Sequence, residues 1–114
     1  EQTLSDFAEG AKRELSTARA FVYGEGERKI RRAASFCGSG VDGGAIARAK
    51  AQGADVIVSA DIKHNYICDA LEAGMCAVQL THYASENYGF KKIYQSLNGK
   101  LGVPCAYHED GGLL

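Results

Sequence analysis

The sequence predicts an α/β domain: a mixed, mostly parallel sheet of about five strands with helices packed on it, in the order α-β-(β-α)3-β. Three observations carry the prediction. From Gly44 onward, short apolar runs of strand length alternate with segments of helical period, which is the pattern of βαβ crossovers. Before that, Gly24-Glu25-Gly26-Glu27 separates two strand-like runs and suggests a tight antiparallel pair, which makes the sheet mixed. The 114 residues hold no low-complexity stretch, internal repeat or dividing linker, so residues 1–114 are read as one domain around one core.

Taken in order, the first helix starts at a cap on Thr3 or Ser5 and runs to about Ser16, with Leu4, Phe7, Ala8, Ala11 and Leu15 on one face. Ala20 to Tyr23 and Ile30 to Cys37 are the paired strands. Then follow helix Ala45 to Gln52, strand Asp55 to Ser59, helix Tyr66 to Glu72 and strand Met75 to Leu80. A last helix spans about Ala84 to Leu97 and ends at Asn98-Gly99, as a C-cap does, before a final strand from Val103 to Tyr107. In such sheets ligands gather outside the carboxyl ends of the parallel strands. The polar clusters of this chain all fall at strand ends.

Composition narrows the function classes. A hydrophobic share of 46% with 24% charged residues is globular, and no run approaches the roughly 20 apolar residues of a membrane span. A formal net charge of −1 provides no field for polyanions, and the one dense basic run, Arg28 to Arg32, follows Glu25 and Glu27. Nucleic acid is therefore not expected as a partner. Cys37, Cys68, Cys76 and Cys105 show no C-x-x-C spacing and read as reduced core thiols, in keeping with a cytoplasmic location. The chain begins at a helix start without methionine, and is expected to be part of something longer.

The most informative run is Thr81-His82-Tyr83-Ala84-Ser85-Glu86. It places an imidazole at a strand's end and a carboxylate one helical turn later, where both can reach one ion. Nitrogen-plus-oxygen ligation suits zinc, manganese or iron rather than calcium. The plainer alternative is a first-turn carboxylate favoured by the helix dipole and a histidine bonded to backbone. Two ligands make half a site, so this chain alone is expected to hold a metal weakly or not at all. Cys37-Gly38-Ser39-Gly40 opens a glycine-rich loop whose amides could hold a small anionic substrate, or which could simply be a turn needing positive φ. Asp61-Ile62-Lys63-His64 adds groups that could orient a metal ligand or cap a helix. Ser39, Gly40, Asp61 and His64 are therefore candidate supporting or substrate-facing residues. His108, beside Glu109 and Asp110, reads as an exposed end.

Together, Phe36-Cys37-Gly38-Ser39-Gly40, Gly53-Ala54-Asp55-Val56, Asp61-Ile62-Lys63-His64, Asp69-Ala70-Leu71-Glu72 and Thr81 to Glu86 resemble the Nif-three-like family, whose bacterial members are often labelled GTP cyclohydrolase I type 2 homologues. The resemblance covers roughly Leu4 to Tyr107 and matches the carboxyl-terminal half of such proteins. It implies a two-metal site between two similar halves, with His82 and Glu86 as the ligands of the second half. It implies also that a histidine pair and an aspartate come from the amino-terminal half, which is then a required partner, and that family members form ring-shaped homo-oligomers. This chain has no adjacent histidine pair, and Asn65 stands where many relatives have histidine. The expected function is thus a metal-binding, hydrolase-like domain that is inactive alone. The alternative is a non-catalytic module that binds a protein or small anion at the glycine-rich rim.

Overall fold

A computed structural model describes residues 1–114. The chain runs β1 (Gln2–Thr3), α1 (Leu4–Glu14), β2 (Ala20–Tyr23), β3 (Lys29–Ile30), β4 (Ala33–Ser35), α2 (Gly43–Ala51), β5 (Val56–Ala60), α3 (His64–Glu72), β6 (Cys76–Leu80) and α4 (His82–Leu97). The main sheet has the order β2-β6-β5-β4, with β4, β5 and β6 parallel and β2 antiparallel to β6. It is the mixed, mostly parallel sheet the alternation implies. β1 and β3 form a separate two-stranded pair, with Gln2 opposite Ile30.

Each helix has a local reason to begin where it does. The side chains of Thr3, Asp42 and Thr81 accept hydrogen bonds from the amides of Asp6, Ala45 and Ala84, so each satisfies an amide that the first turn leaves free. β5 is buried along its whole length because helices cover both of its faces. On one face, Ile57 packs with Val41, Ile46, Ile67 and Met75 from around α2 and α3. On the other, Val56 and Val58 meet Val78 and Leu80 of β6 and Leu4 and Ala8 of α1. The alternation of Val56, Ile57 and Val58 between the two clusters is the period-two geometry of a strand.

Two expected elements differ. Ala20 to Tyr23 does not fold back on the run after the glycine turn, because β2 and β4 lie at opposite edges of the sheet. Instead the chain crosses beneath β6 and β5 and is pinned there. Arg28 Nη2 donates to the Gly74 carbonyl at 2.5 Å, and the Asp55 carboxylate accepts the amides of Arg31 and Arg32 at 2.8 and 3.0 Å. Ile30, 3% exposed, enters the core beside Leu4 on the way, which a tight hairpin would forbid.

The expected strand at Val103 to Tyr107 is irregular chain. Pro104 lacks the amide a ladder needs, and the segment is held on α4 instead. Glu109 accepts from Asn87 Nδ2 and Lys91 Nζ, both at 2.8 Å, while the Tyr107 hydroxyl bonds Asn87. The sheet therefore has four strands rather than five. Of the cysteines only Cys76 is buried; Cys37 is exposed, Cys68 and Cys105 are half-buried, and all four are free thiols. No helix is long and apolar enough to cross a membrane.

Candidate metal centre

Because β4, β5 and β6 are adjacent and parallel, their carboxyl ends share one rim. Cys37 to Gly40 follow β4, Asp61 follows β5, and His82 opens the helix after β6. At that rim His82 Nε2 lies 3.2 Å from Glu86 Oε1, and His82 Nδ1 lies 2.5 Å from Asp61 Oδ2. The side chains of His82, Asp61 and Glu86 are 47%, 59% and 39% exposed, so a ligand can reach all three.

The surrounding backbone is arranged to hold this geometry. Gly38 has φ +54 and sits against the pair: a Cβ there would lie 2.6 Å from Glu86 Oε1 and 3.1 Å from His82 Nε2. Only a glycine permits that approach. Its amide donates to Ser85 Oγ at 2.9 Å, and the Ser85 hydroxyl donates to the His82 carbonyl at 2.8 Å. The Gly38 carbonyl accepts the Ala60 amide at 2.9 Å and the hydroxyl of Ser59, 1% exposed, at 2.8 Å. Asp61 has φ +45, a conformation aspartate tolerates better than most residues, and this turns the chain sharply out of β5. Ile62 then anchors the turn, its amide donating to Gln79 Oε1 at 3.1 Å.

Electrostatics follow from the contacts. The hydrogen bond that His82 donates to Asp61, and then the charge of Glu86, raise the His82 pKa above the ordinary imidazole value. Both carboxylates favour the charged form of the ring. The donor set also fits a metal. Two donors each about 2.1 Å from one tetrahedral ion lie roughly 3.4 Å apart, close to the Nε2–Oε1 separation here. A carboxylate on the far nitrogen, as Asp61 is, fixes the tautomer that presents Nε2 to an ion. No group of three or more His, Cys, Asp or Glu side chains is placed to hold one ion, and His82 and Glu86 are the pair whose spacing matches two ligands of a larger set.

The other sequence candidates fall elsewhere. His64 is exposed at the start of α3, with Nε2 3.6 Å from Cys68 Sγ. Neither His64 nor Ser39 nor Gly40 borders the clefts of about 420 and 310 Å³ that His82 lines. The amino end of α2, where the glycine-rich loop could hold an anion, is closed by Asp42, whose Oδ1 takes the Ala45 amide at 2.7 Å. His108 is exposed near the chain's end, as expected, and borders a cleft with Tyr83, Glu86 and Asn87. Arg19 borders both clefts around His82 and was not among the sequence candidates. Its place follows from β2 pairing with β6, which local sequence does not specify.

Comparison with known proteins agrees with this architecture. A Deinococcus radiodurans protein named GTP cyclohydrolase 1 type 2 homolog is 32% identical over 104 residues, which cover 91% of this chain and 38% of that protein. A Staphylococcus aureus protein of the same name is 39% identical over 84 residues, covering 74% of this chain and 22% of that one. Among solved structures, a Bacillus cereus protein related to NIF3 superposes with a TM-score of 0.74 at 30% identity, over 96% of this chain and 32% of that one. Reduced HcgD from Methanocaldococcus jannaschii does so at 0.73 and 27% identity, over 90% of this chain and 41% of that one. The chain thus spans well under half the length of these relatives. The family model described as Duf34/NIF3 (NGG1p interacting factor 3) matches residues 1–108, nearly the whole sequence, and the chain belongs to that family.

Proposed function

We propose that this chain is the portion of a longer Duf34/NIF3 protein that supplies His82 and Glu86 to a divalent metal site, with the remaining ligands coming from the rest of the protein. The reading extends to a metal-dependent hydrolase-like activity of the complete site. One observation carries it: His82 Nε2 and Glu86 Oε1 stand 3.2 Å apart while Asp61 holds the opposite ring nitrogen. Zinc, manganese and iron all suit this donor pair. When bound, such an ion supplies charge stabilisation and a nucleophile at neutral pH.

The chain's own residues set the stage for that chemistry. Asp61 keeps a proton on Nδ1, so the lone pair of neutral His82 lies on Nε2. Gly38 allows Glu86 to approach the ring, and Ser85 ties Gly38 to the first turn of α4. Two clefts that His82 lines, one with Glu86 and one with Asp61, give a ligand access to the ring.

The test is bound metal, measured in this chain and in the full-length protein, each with and without His82→Ala. The full-length variant is expected to lose at least about tenfold in affinity, since even outer partners of metal ligands contribute that much. The short chain is expected to bind weakly in either form. Unchanged metal content in full-length His82→Ala would show that the ligands lie elsewhere.

A further inference from the structure

We infer that Arg19 is the anion-recognition residue of the His82 site, taking the phosphate or carboxylate group of the ligand that occupies it. The inference rests on the metal-holding reading of His82 and Glu86 for what lies at the ligand's other end.

The argument begins with strand direction. β4, β5 and β6 run parallel, so the functional rim is at their carboxyl ends; β2 runs the opposite way, so its amino end reaches the same rim. The register sets Ala20 opposite Leu80, and the next residue outward on each strand is Arg19 and Thr81. Arg19 therefore stands beside the residue that leads into His82. Its backbone is fixed there. Thr17, 7% exposed, accepts the Arg19 amide at 3.1 Å through its hydroxyl oxygen.

Arg19 is shared by both hollows that His82 lines. Arg19 borders one cleft with His82 and Glu86, and the second with His82 and Asp61. It has no carboxylate within ion-pairing distance, whereas Arg31 pairs with Glu1, and Arg28 and Arg32 donate to backbone carbonyls. The guanidinium is thus uncommitted at the one place where the fold gathers its chemical groups. A guanidinium presents a planar fork of donors that matches a phosphate or carboxylate two bonds at a time. Asp61 and Glu86 would repel an anion from the bare rim. A divalent ion held by His82 and Glu86 would offset that charge and leave Arg19 free to take the anionic group.

The experiment uses the 15N-labelled chain and follows Arg19 Nε–H and the amides of Arg19, Thr81 and His82. Inorganic phosphate and acetate are titrated separately, each with and without Mn²⁺, at constant ionic strength set by chloride. Saturable shifts are expected. In Arg19→Gln they should need about tenfold more anion, the worth of one charge-assisted hydrogen bond, with partial recovery in Arg19→Lys, which restores charge without the fork. The anion that saturates at lower concentration identifies the group as phosphate or carboxylate. Equal affinity in wild type and Arg19→Gln, or equal shifts with chloride alone, would overturn the inference. Mn²⁺ broadening at His82 and Glu86 reports on the metal reading separately. Broadening without an Arg19-dependent anion shift removes the Arg19 assignment alone. An Arg19-dependent shift without broadening supports Arg19 and accords with the weak metal binding expected of this chain alone, and the full-length His82→Ala measurement then decides the metal reading.

Discussion

Replacing Gly38 with alanine separates the cost to the fold from the cost to the site. Gly38 has φ +54, where an L side chain costs about 1–2 kcal/mol, partly offset by about 0.4–1 kcal/mol from the stiffer unfolded chain. The net loss of stability is therefore about 1 kcal/mol, or roughly 4 °C in Tm for a domain of this size. The effect on the site is larger. The new Cβ would stand 2.6 Å from Glu86 Oε1 where ordinary contact starts at 3.4 Å, so the carboxylate must withdraw by about 0.8 Å. Metal–ligand distances tolerate only about 0.2 Å, so the withdrawal removes Glu86 as a partner of His82 unless its side chain finds a new rotamer. Urea and thermal unfolding of the chain, together with metal affinity of the full-length protein, measure the two costs. Gly43→Ala is the control, because a Cβ at Gly43 meets nothing within 4 Å. The expected result is a small stability loss and at least about a tenfold loss of metal affinity for Gly38→Ala, with neither for Gly43→Ala. Wild-type metal affinity in Gly38→Ala would refute the reasoning that this close approach sets the pair.

Two further predictions concern protons. His82 has its pKa raised by the Asp61 hydrogen bond and by Glu86, so its NMR titration midpoint should lie above about 6.5 and move down in Asp61→Asn. The sign follows from the folded value being the higher one: the contacts of the imidazolium stabilise the fold fully below the unfolded value, and this is lost as pH rises through the raised pKa. A metal must displace the same proton, so its affinity should fall as pH drops below that midpoint; an Asp61→Asn midpoint equal to wild type refutes the assignment. Asp55 is the opposite case, its pKa lowered first by the Arg31 and Arg32 amides. Its contribution is present above about pH 4 and lost as pH falls through the folded value. Asp55→Ala should cost about 1–3 kcal/mol near neutrality, with the difference from wild type in urea unfolding shrinking in acid. A pH-independent difference would show that the carboxylate charge is not what holds the crossing chain.

What could be read from the chain before folding was considered is what depends on neighbours in sequence. Apolar period located α1, α2, β5, α3, β6 and α4 because each must bury one face or both. Thr3 was legible as one of two candidate caps, with Ser5, and the structure selects Thr3, whose hydroxyl serves an amide three residues on. The four-residue spacing of His82 and Glu86 was legible because one helical turn brings such residues to one side. The position of these residues at a shared rim followed from strand and helix alternation.

What the sequence did not decide is which distant segments meet. Gly24 to Glu27 can turn a strand back or send it onward, and only the Asp55 carboxylate, the Gly74 carbonyl and the burial of Ile30 select the crossing. The tail from Val103 has a strand-like pattern, yet Pro104 and the Asn87, Lys91 and Tyr83 partners on α4 take it out of the sheet. Asp61 on His82 and Arg19 beside Thr81 are contacts across 21 and 62 positions, set by which strands lie side by side and in which direction. Local pattern thus determined most of the elements and the spacing of His82 and Glu86. Tertiary structure alone assembled the carboxylate, the glycine and the arginine around that pair, because packing and buried hydrogen bonds, not adjacency in sequence, choose the order of strands.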